Sequence, residues 1–420
     1  MKAKKKTVFM DFDYTRCDDF AQYLSRMAAK GWHFKGWGIG LQFVQGEPEQ
    51  AIYAVEVFPK ANENDMRPGP RTQEFAEYCE AAGWEFIDAK QKFCIFKKKS
   101  ADAVDLFTPQ ERVINVYKGV TSGSAILLLV LYGLNAVLGW VNLFTAFERN
   151  IFASSFLLGY CIWNMLFLGQ VGTFIYAYWK KKQWMKKIKE EEKIHIGIQA
   201  DGKKHLSWKS IYMFLLFLLL SMNVVMLGKT ELILMNVICV GITLLFVLIV
   251  AKLRPDSGTN LLIQTVFSLV FILLFIVMTA AIIFDDNDVA YQKDELPLQI
   301  SDYREFNETI TTVDIYQERN IFGSCERYYI FSNNSAVHYV IYRTEQDWIL
   351  DKIWKEELNA RKLENAVDCT ELWNAQKAFC VYGGMYYERY EDVLLVFSED
   401  SDIEFSAEQI AIIREKLNIK

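Results

Sequence analysis

Five long apolar segments constrain this chain more than any other feature. They cover about 120–142, 151–178, 211–227, 232–251 and 261–284, and none contains Asp, Glu, Lys or Arg. A helix needs about 20 apolar residues to cross a bilayer, and buried core helices rarely reach that length without a charge. We therefore expect five transmembrane helices in residues 120–284.

The distribution of lysine between these segments predicts their orientation. The loop 179–210, between the second and third apolar segments, carries ten Lys against three Glu and one Asp. Loops rich in Lys and Arg stay on the cytoplasmic side of a membrane. We therefore expect this loop, the loop with Lys252 and Arg254, and the N-terminus to be cytoplasmic. With five spans, the C-terminus lies outside the cytoplasm.

The charge is divided unevenly between the regions that flank the apolar block. We predict a cytoplasmic domain at 1–105, a juxtamembrane linker at 106–119, a second linker at 285–296 and an extracytoplasmic domain at 297–420. Acidic residues outnumber basic ones by 14 after residue 284, although the net charge of the whole chain is only −6. This acidity fits a solvated surface or a surface for cations and basic peptides, and we favour the solvated surface. Since no reading motif is recognisable either, nucleic-acid binding is not expected.

The N-terminal region shows a β-α-β-β-α-β pattern. We predict strands at 7–13, 37–44, 51–58 and 93–98 and helices at 17–30 and 72–82. Gly31 and Gly83 stand where a left-handed helix cap belongs, and each is followed by tryptophan, Trp32 or Trp84. The two Gly-Trp motifs follow similar helical sequences. This echo predicts two copies of a helix, turn and strand, which a ferredoxin-like α+β sandwich accommodates.

Four short motifs carry a resemblance to a bacterial family. They are Phe12-Asp13-Tyr14, the run from Met27 to Trp32, Gly46-Glu47-Pro48 and the run from Ala82 to Glu85. In these motifs the first 110 residues resemble domain of unknown function 2812. The resemblance implies a bacterial protein with membrane spans after the domain and a role in a regulated envelope system. It brings no catalytic residues.

Two groups of residues in this domain suggest ligand sites. Trp32, Trp37 and Trp84 could stack on a flat molecule, although core packing is the commoner role of such aromatics. Asp11, Asp13, Asp18 and Asp19 could hold a divalent metal. However, Asp18 and Asp19 also suit the N-terminal end of a helix, and Asp11 and Asp13 suit an exposed strand face. We expect neither a metal nor a cofactor.

The eight cysteines form no zinc motif, because no CxxC occurs and the chain has only four His. Cys325, Cys369 and Cys380 lie in the predicted extracytoplasmic domain, where oxidation is allowed. An odd count leaves at least one unpaired, and the best pairing for a disulfide is Cys369 with Cys380.

The region after residue 296 is patterned as a second α+β domain. Alternating apolar residues predict strands at 311–316, 327–331, 337–342, 378–382 and 392–397, with turns at Asn333-Asn334-Ser335 and Gly383-Gly384. Helices are predicted from Thr344 to Leu358 and from Ser406 to Leu417, the second with a clear capping box.

No GxSxG, HExxH or phosphate-binding glycine loop is present, so we do not expect an enzyme. The leading interpretation is a multi-pass membrane protein of the bacterial cell envelope that acts as a sensor, regulator or accessory protein. A permease-like subunit for a lipid or hydrophobic peptide is the alternative, and a membrane enzyme without a recognisable motif comes third. Expected partners are the bilayer, anionic lipid headgroups at the Lys-rich loop, and a protein or extracellular ligand.

Overall fold

The computed structural model describes residues 4–10, 12–198, 215, 218, 230–283, 296–360, 366–381, 384–399 and 405–419. These residues form two compact units. The first combines residues 1–136 with 162–285, and the second combines residues 137–161 with 286–420. Asp11, most of the predicted third span at 211–227, the second part of the Lys-rich loop and most of the linker 285–296 lie outside the described residues.

The N-terminal domain of the first unit is a duplicated β-α-β-β motif. The first copy contains β1 (Lys5–Val8), α1 (Cys17–Ala29), β2 (Trp32–Trp37) and β3 (Leu41–Gln45), and the second contains β4 (Tyr53–Val57), α2 (Pro70–Ala81), β5 (Trp84–Lys90) and β6 (Phe93–Lys98). Each copy folds into an antiparallel three-stranded sheet, with orders β1-β3-β2 and β4-β6-β5. The two copies therefore share one topology.

Matching irregularities in both copies confirm that the echo in the sequence is structural. Gly31 and Gly83 both adopt positive φ, +76° and +91°, as their position after a helix requires. The first strand after each helix is bulged at the same place, between Phe34 and Gly36 in β2 and between Phe86 and Asp88 in β5. Each bulge follows a cross-strand pair of phenylalanines, Phe34–Phe43 in β2–β3 and Phe86–Phe96 in β5–β6.

The predicted ferredoxin-like order is corrected in two places. The predicted strand 37–44 is a hairpin, because β2 ends at Trp37 and the chain turns through Gly38, Ile39 and Gly40 before β3. Strand β5 was missed, since the sequence WEFIDAK does not alternate cleanly. The observed order, β-α-β-β-β-α-β-β in two separate sheets, differs from the β-α-β-β-α-β order of a single sheet.

A series of helices follows this domain. They are α3 (Pro109–Val120), α4 (Gly123–Thr145), α5 (Phe147–Asn150), α6 (Ser154–Lys189), α7 (Thr230–Leu253) and α8 (Ser257–Ile283). Helix α3 begins with Pro at its first position and a capping box between Thr108 and Glu111. The predicted spans 120–142, 151–178, 232–251 and 261–284 overlap α4, α6, α7 and α8.

Among the described residues, three helical stretches are long and apolar enough to cross a membrane. They are Pro109–Thr145, Ser154–Lys189 and Ser257–Leu274, and Val237–Leu253 is a shorter apolar helix. Their side chains contact each other within the first unit. For example, Phe167 of α6 lies against Gly133 of α4, and the rings of Phe246 and Phe267 lie 4.3 Å apart between α7 and α8. This part of the chain is therefore consistent with membrane association.

The C-terminal domain is built on a seven-stranded antiparallel sheet. Its elements are α9 (Ile300–Tyr303), β7 (Ile310–Asn320), β8 (Gly323–Ser332), β9 (Ala336–Arg343), α10 (Asp347–Ala360), β10 (Val367–Asp368), α11 (Thr370–Trp373), β11 (Lys377–Val381), β12 (Met385–Arg389), β13 (Val393–Glu399) and α12 (Ala407–Lys416). The strand order is β10-β11-β12-β13-β9-β8-β7. The five predicted strands are present, and β10 and β12 are additional.

Both faces of this sheet are covered. Alternate residues of β13 point to opposite faces, so Leu395 and Phe397 pack with α12 while Leu394 and Val396 pack with α10. The second face also receives Phe147, Ile151 and Phe152, from the connection between α4 and α6. That connection is thus part of the hydrophobic core of the second unit.

Candidate functional site

A buried ion pair joins the two repeats of the N-terminal domain to α3. Glu56, on β4, is buried, and its carboxylate lies 2.9 Å from Nε of Arg112, in the first turns of α3. Nη2 of Arg112 lies 2.7 Å from the Asp18 carboxylate, at the start of α1. One guanidinium therefore ties together the first repeat, the second repeat and the juxtamembrane helix, and such a two-carboxylate arrangement fixes its orientation.

The electrostatic environment of Glu56 is unusual. Burial raises the pKa of Glu56 to about 7, because removal from water penalises the charged carboxylate, and Arg112 opposes the rise. A positive charge brought close to Glu56 would favour the ionised form.

The chain that leaves α6 packs on the same corner of the domain. We call residues 190–198 the docking segment. Its Ile196 side chain is 0% exposed in the domain core. The Ile196 backbone N–H donates to the Asp18 carboxylate at 2.7 Å, and the Asp18 N–H donates to the Ile196 carbonyl at 3.0 Å. The docking segment is thus held by hydrophobic burial and by two hydrogen bonds with Asp18, one to its carboxylate and one from its backbone N–H.

The Asp19 carboxylate also binds the docking segment. Nε2 of His195 lies 2.8 Å from its carboxylate, and the N–H of Ile198 donates to it at 3.1 Å. Arg16 donates from Nε at 2.9 Å. Burial alone would raise the pKa of Asp19, but the hydrogen bonds from His195 and Arg16 outweigh it and lower that pKa.

An acidic cleft opens between these elements. It has a volume of about 560 Å³ and is bounded by α1, β4, the approach to α3 and the chain from Ile188 to Ile194. Its apolar wall includes Tyr53, Trp84, Phe107 and Ile194. Five carboxylates and two cationic side chains line it: Asp18, Glu56, Asp105, Glu191, Glu192, Arg112 and Lys193. Because Arg112 is already bonded to Asp18 and Glu56, the cleft suits a small cation with an apolar body.

The Gly-Trp residues have structural roles, and one tryptophan also reaches the cleft. Trp84 is 7% exposed, and its indole N–H donates to the Val104 carbonyl at 2.7 Å. Trp32 is half-buried beneath the Lys6 ammonium, 5.3 Å from the ring centre. A Cβ on Gly31 would lie 2.8 Å from the Gly46 carbonyl, so two of the sequence motifs touch at that point.

The predicted aspartate group does not converge on a metal site in the described part of the chain. Asp13 caps the turn before α1, where its carboxylate accepts from the Thr15 N–H at 2.8 Å. Asp18 and Asp19 are engaged by Arg112, Arg16 and the docking segment. Among the described residues, no group of three or more His, Cys, Asp or Glu side chains is placed to hold a metal ion.

The start of the Lys-rich loop is helical. Helix α6 continues to Lys189, and its buried Trp184 joins the core of the N-terminal domain. A small basic cleft of about 240 Å³ lies beside it, lined in part by Lys180, Lys187, Lys193 and His195. This part of the loop therefore combines a packed face with a cationic face.

The cysteines predicted to pair are held apart by strand register. Val367 lies opposite Cys380, and the Cys369 N–H donates to the Ala378 carbonyl at 3.0 Å. Cys369 is thus diagonal to Cys380, a relation that typically separates Cα atoms by about 7–8 Å, beyond the usual span of a disulfide. Cys369 is a thiol in the structure, and burial raises its pKa to about 12.

The C-terminal domain contains a buried carboxyl that the sequence analysis missed. Glu388, on β12, is 0% exposed, and within the described residues neither of its oxygens has a hydrogen-bond partner. Burial raises its pKa well above the ordinary value for glutamate. A signal was available, because strand alternation in MYYERY puts Glu388 on the same face as Tyr386 and Tyr390.

Glu56 and Arg112 were missed for a different reason. They lie 56 positions apart in the sequence and meet only through the fold. Neither belongs to a recognisable local motif, and the apolar neighbours of Glu56 in the strand YAVEV are the only hint of its burial.

Comparison with known proteins agrees with the resemblance of the N-terminal region. Residues 16–130 match the sequence model of a family described as "Protein of unknown function (DUF2812)". The matched stretch begins just before α1 and extends through α3 into α4, so it includes Glu56, Arg112 and both Gly-Trp motifs. No curated protein matches the chain, and no solved structure does.

Proposed function

We propose that this protein is a multi-pass protein of the bacterial cell membrane that senses a small cationic molecule in its N-terminal domain. It crosses the membrane five times, with the N-terminus in the cytoplasm and the C-terminal domain outside. Its role is regulatory or accessory and requires no catalysis. The proposal rests on the acidic cleft, whose walls come both from the folded domain and from the continuation of α6.

The shared walls explain how occupancy would be transmitted. A ligand between Tyr53 and Trp84 on one side and Ile188 and Ile194 on the other contacts the domain and the end of α6 at once. A ligand can shift an equilibrium only if it binds two states with different affinity. Release of the docking segment would remove one wall of the cleft, so a bound ligand favours the docked state of α6.

The charges of the cleft specify the ligand class. Asp105, Glu191, Glu192 and Lys193 are exposed around the cleft, so acidic side chains outnumber basic ones where a ligand would enter. The partly exposed ring of Phe107 offers aromatic surface, which attracts organic cations. A primary or quaternary amine with an apolar body fits these features better than an anion does.

The connections between the helices support five spans. Two of them, the docking segment and the turn around Arg254, bond to the N-terminal domain. The connection 146–153 instead packs in the core of the C-terminal domain. Alternate connections are expected to contact different domains if each helix crosses the membrane.

We also predict that the acidic C-terminal domain binds a second, extracellular ligand. The Lys-rich segment is predicted to bind anionic lipid headgroups.

Hydrogen exchange on the full chain in zwitterionic lipid nanodiscs tests the proposal. Benzyltrimethylammonium should slow amide exchange in the docking segment and β4, whereas benzenesulfonate, an aromatic anion, should not. The double variant Asp105→Asn, Glu192→Gln should weaken this protection, and Asp102→Asn, an exposed change outside the cleft, should preserve it. Equal protection by the anion, or an unchanged response of the double variant, would refute the cationic cleft.

A further inference from the structure

The hairpin between β7 and β8 ends in an unusually exposed apolar residue. Ile321, at its tip, is 90% exposed, although the adjacent Phe322 packs into the core beneath the sheet. An isolated exposed isoleucine is ordinary on a protein surface. Ile321 differs from such isolated residues because it lies beside the connection between α4 and α6.

The tip is fixed to the connection between α4 and α6. The Asn320 side-chain amide donates to the Ile151 carbonyl at 2.9 Å, while its oxygen accepts from the Phe322 N–H at 2.8 Å. The Ser154 hydroxyl, at the first residue of α6, donates to the Arg319 carbonyl at 3.0 Å. Ile321 is therefore held level with the beginning of an apolar helix.

The tip cannot easily rearrange. Gly323, two residues beyond Ile321, adopts φ +136°, and a Cβ there would overlap the Arg343 carbonyl. This close approach joins the start of β8 to the end of β9, so the exposed tip is supported by the sheet behind it.

A second exposed apolar side chain lies at the other end of the same connection. The ring of Trp348, at the start of α10, is 5.9 Å from that of Phe147, and Phe147 follows α4 almost directly. Phe144, in the last turn of α4, is exposed, and the Lys352 ammonium lies 4.8 Å from its ring centre. Aromatic and basic side chains together are typical of the membrane–water interface.

We propose that the C-terminal domain is seated on the bilayer surface, with Ile321 and Trp348 inserted into the headgroup boundary beside the ends of α4 and α6. The proposal rests on the proposed function, since it requires α4 and α6 to cross the membrane. The occupant of this apolar surface is lipid, because the surface continues directly from the ends of the two helices. Arg319 precedes the tip and Arg149 lies on α5, and both are exposed where lipid phosphates would be.

Site-specific photocrosslinking tests this contact between the C-terminal domain and the bilayer surface. The photoreactive amino acid p-benzoylphenylalanine replaces Ile321, Phe144 or Val367 in the full chain in proteoliposomes, and lipid adducts are measured by mass spectrometry after irradiation. Val367 is the matched control, since it is 66% exposed and lies on β10, at the opposite edge of the sheet from β7. Phe144 reports whether α4 is in the membrane.

We expect lipid adducts at positions 144 and 321 and at least a tenfold lower yield at 367. Adducts at 144 without adducts at 321 would overturn the proposed contact between the C-terminal domain and the bilayer surface, while leaving the membrane span intact. Equal adducts at 321 and 367 would also overturn it, as would an adduct at 321 to a second protein chain. Absence of adducts at 144 would instead overturn the membrane span of α4, and with it the proposed contact with the bilayer surface.

Discussion

Arg254 and Asp88 form an ion pair between the turn joining α7 to α8 and the centre of the duplicated domain, with Nη2 2.8 Å from Oδ1. Asp88 is buried, and its other oxygen accepts from the Trp37 N–H at 2.9 Å. Asp88 and Gly36 occupy corresponding bulges of the two repeats. The pair therefore anchors a helical turn to the point where the repeats meet.

Removal of this anchor should loosen the turn. Arg254→Ala deletes the bonds to Asp88 and to the Met66 carbonyl and leaves a buried carboxylate with fewer partners, at a cost of about 1–3 kcal/mol. We expect faster amide exchange at residues 252–258 and a lower thermal midpoint of the N-terminal domain. Lys252→Ala, an exposed change two residues earlier, is the control. An identical exchange pattern in both variants would contradict the anchor.

Ile196 should control the docking segment. Ile196→Ala removes a fully buried side chain, and such truncations cost about 2–5 kcal/mol. At 2 kcal/mol the population of the undocked state rises about 30-fold. Trypsin should then cleave after Lys193 at a correspondingly higher rate in detergent-solubilised protein. Ile198→Ala is the matched control, because Ile198 is largely exposed. Equal cleavage of both variants would show that burial of Ile196 does not hold the segment.

The sequence predicts those features of this chain that have a local cause. The apolar segments, the positions of α1 and α2, the caps at Gly31 and Gly83 and five of the C-terminal strands follow from periodicity and turn chemistry. The repeat was visible for the same reason, because both copies use the same Gly-Trp turn.

Features that depend on distant contacts were not predictable. The cleft brings together Asp18, Glu56, Arg112 and Ile194 from four separate segments, and no local motif connects them. The Cys369–Cys380 pairing looked reasonable by separation along the chain, but it depends on a strand register that only the fold sets. The turn at Gly38 to Gly40 was hidden within an apolar run.

Trp84 should be important for the stability of the second repeat. Trp84→Ala removes a buried ring and its hydrogen bond to the Val104 carbonyl, and truncation of a buried tryptophan costs about 3–5 kcal/mol. We expect the thermal midpoint of the N-terminal domain to fall by several degrees. Tyr78→Ala, on the exposed side of α2, should change it little. An unaltered melting curve for Trp84→Ala would mean that the ring contributes no packing energy.

Glu388 should make the C-terminal domain less stable as pH rises. Its folded-state pKa is raised above the unfolded value, so the folded state favours the protonated form. Its contribution to stability is complete below the unfolded pKa, near 4.5, and decreases as pH rises toward the folded pKa. Glu388→Gln should therefore raise the thermal midpoint more at pH 8 than at pH 5.

The neighbouring exposed residue provides the comparison for Glu388. Glu391→Gln makes the same side-chain replacement at a solvent-exposed position, so its effect on the thermal midpoint should be small at both pH values. If the two variants respond alike to pH, burial of Glu388 does not determine the pH dependence of the C-terminal domain.

The proposed five-span topology places the N- and C-terminal domains on opposite sides of a membrane, and reporter fusions distinguish it from other topologies. An enzyme that is active only outside the cytoplasm is fused after Ser100 or after Lys420, and its activity is measured in intact bacterial cells at matched expression. The five-span topology predicts activity for the fusion after Lys420 and none for the fusion after Ser100. The same result at both positions, whether active or inactive, would contradict it.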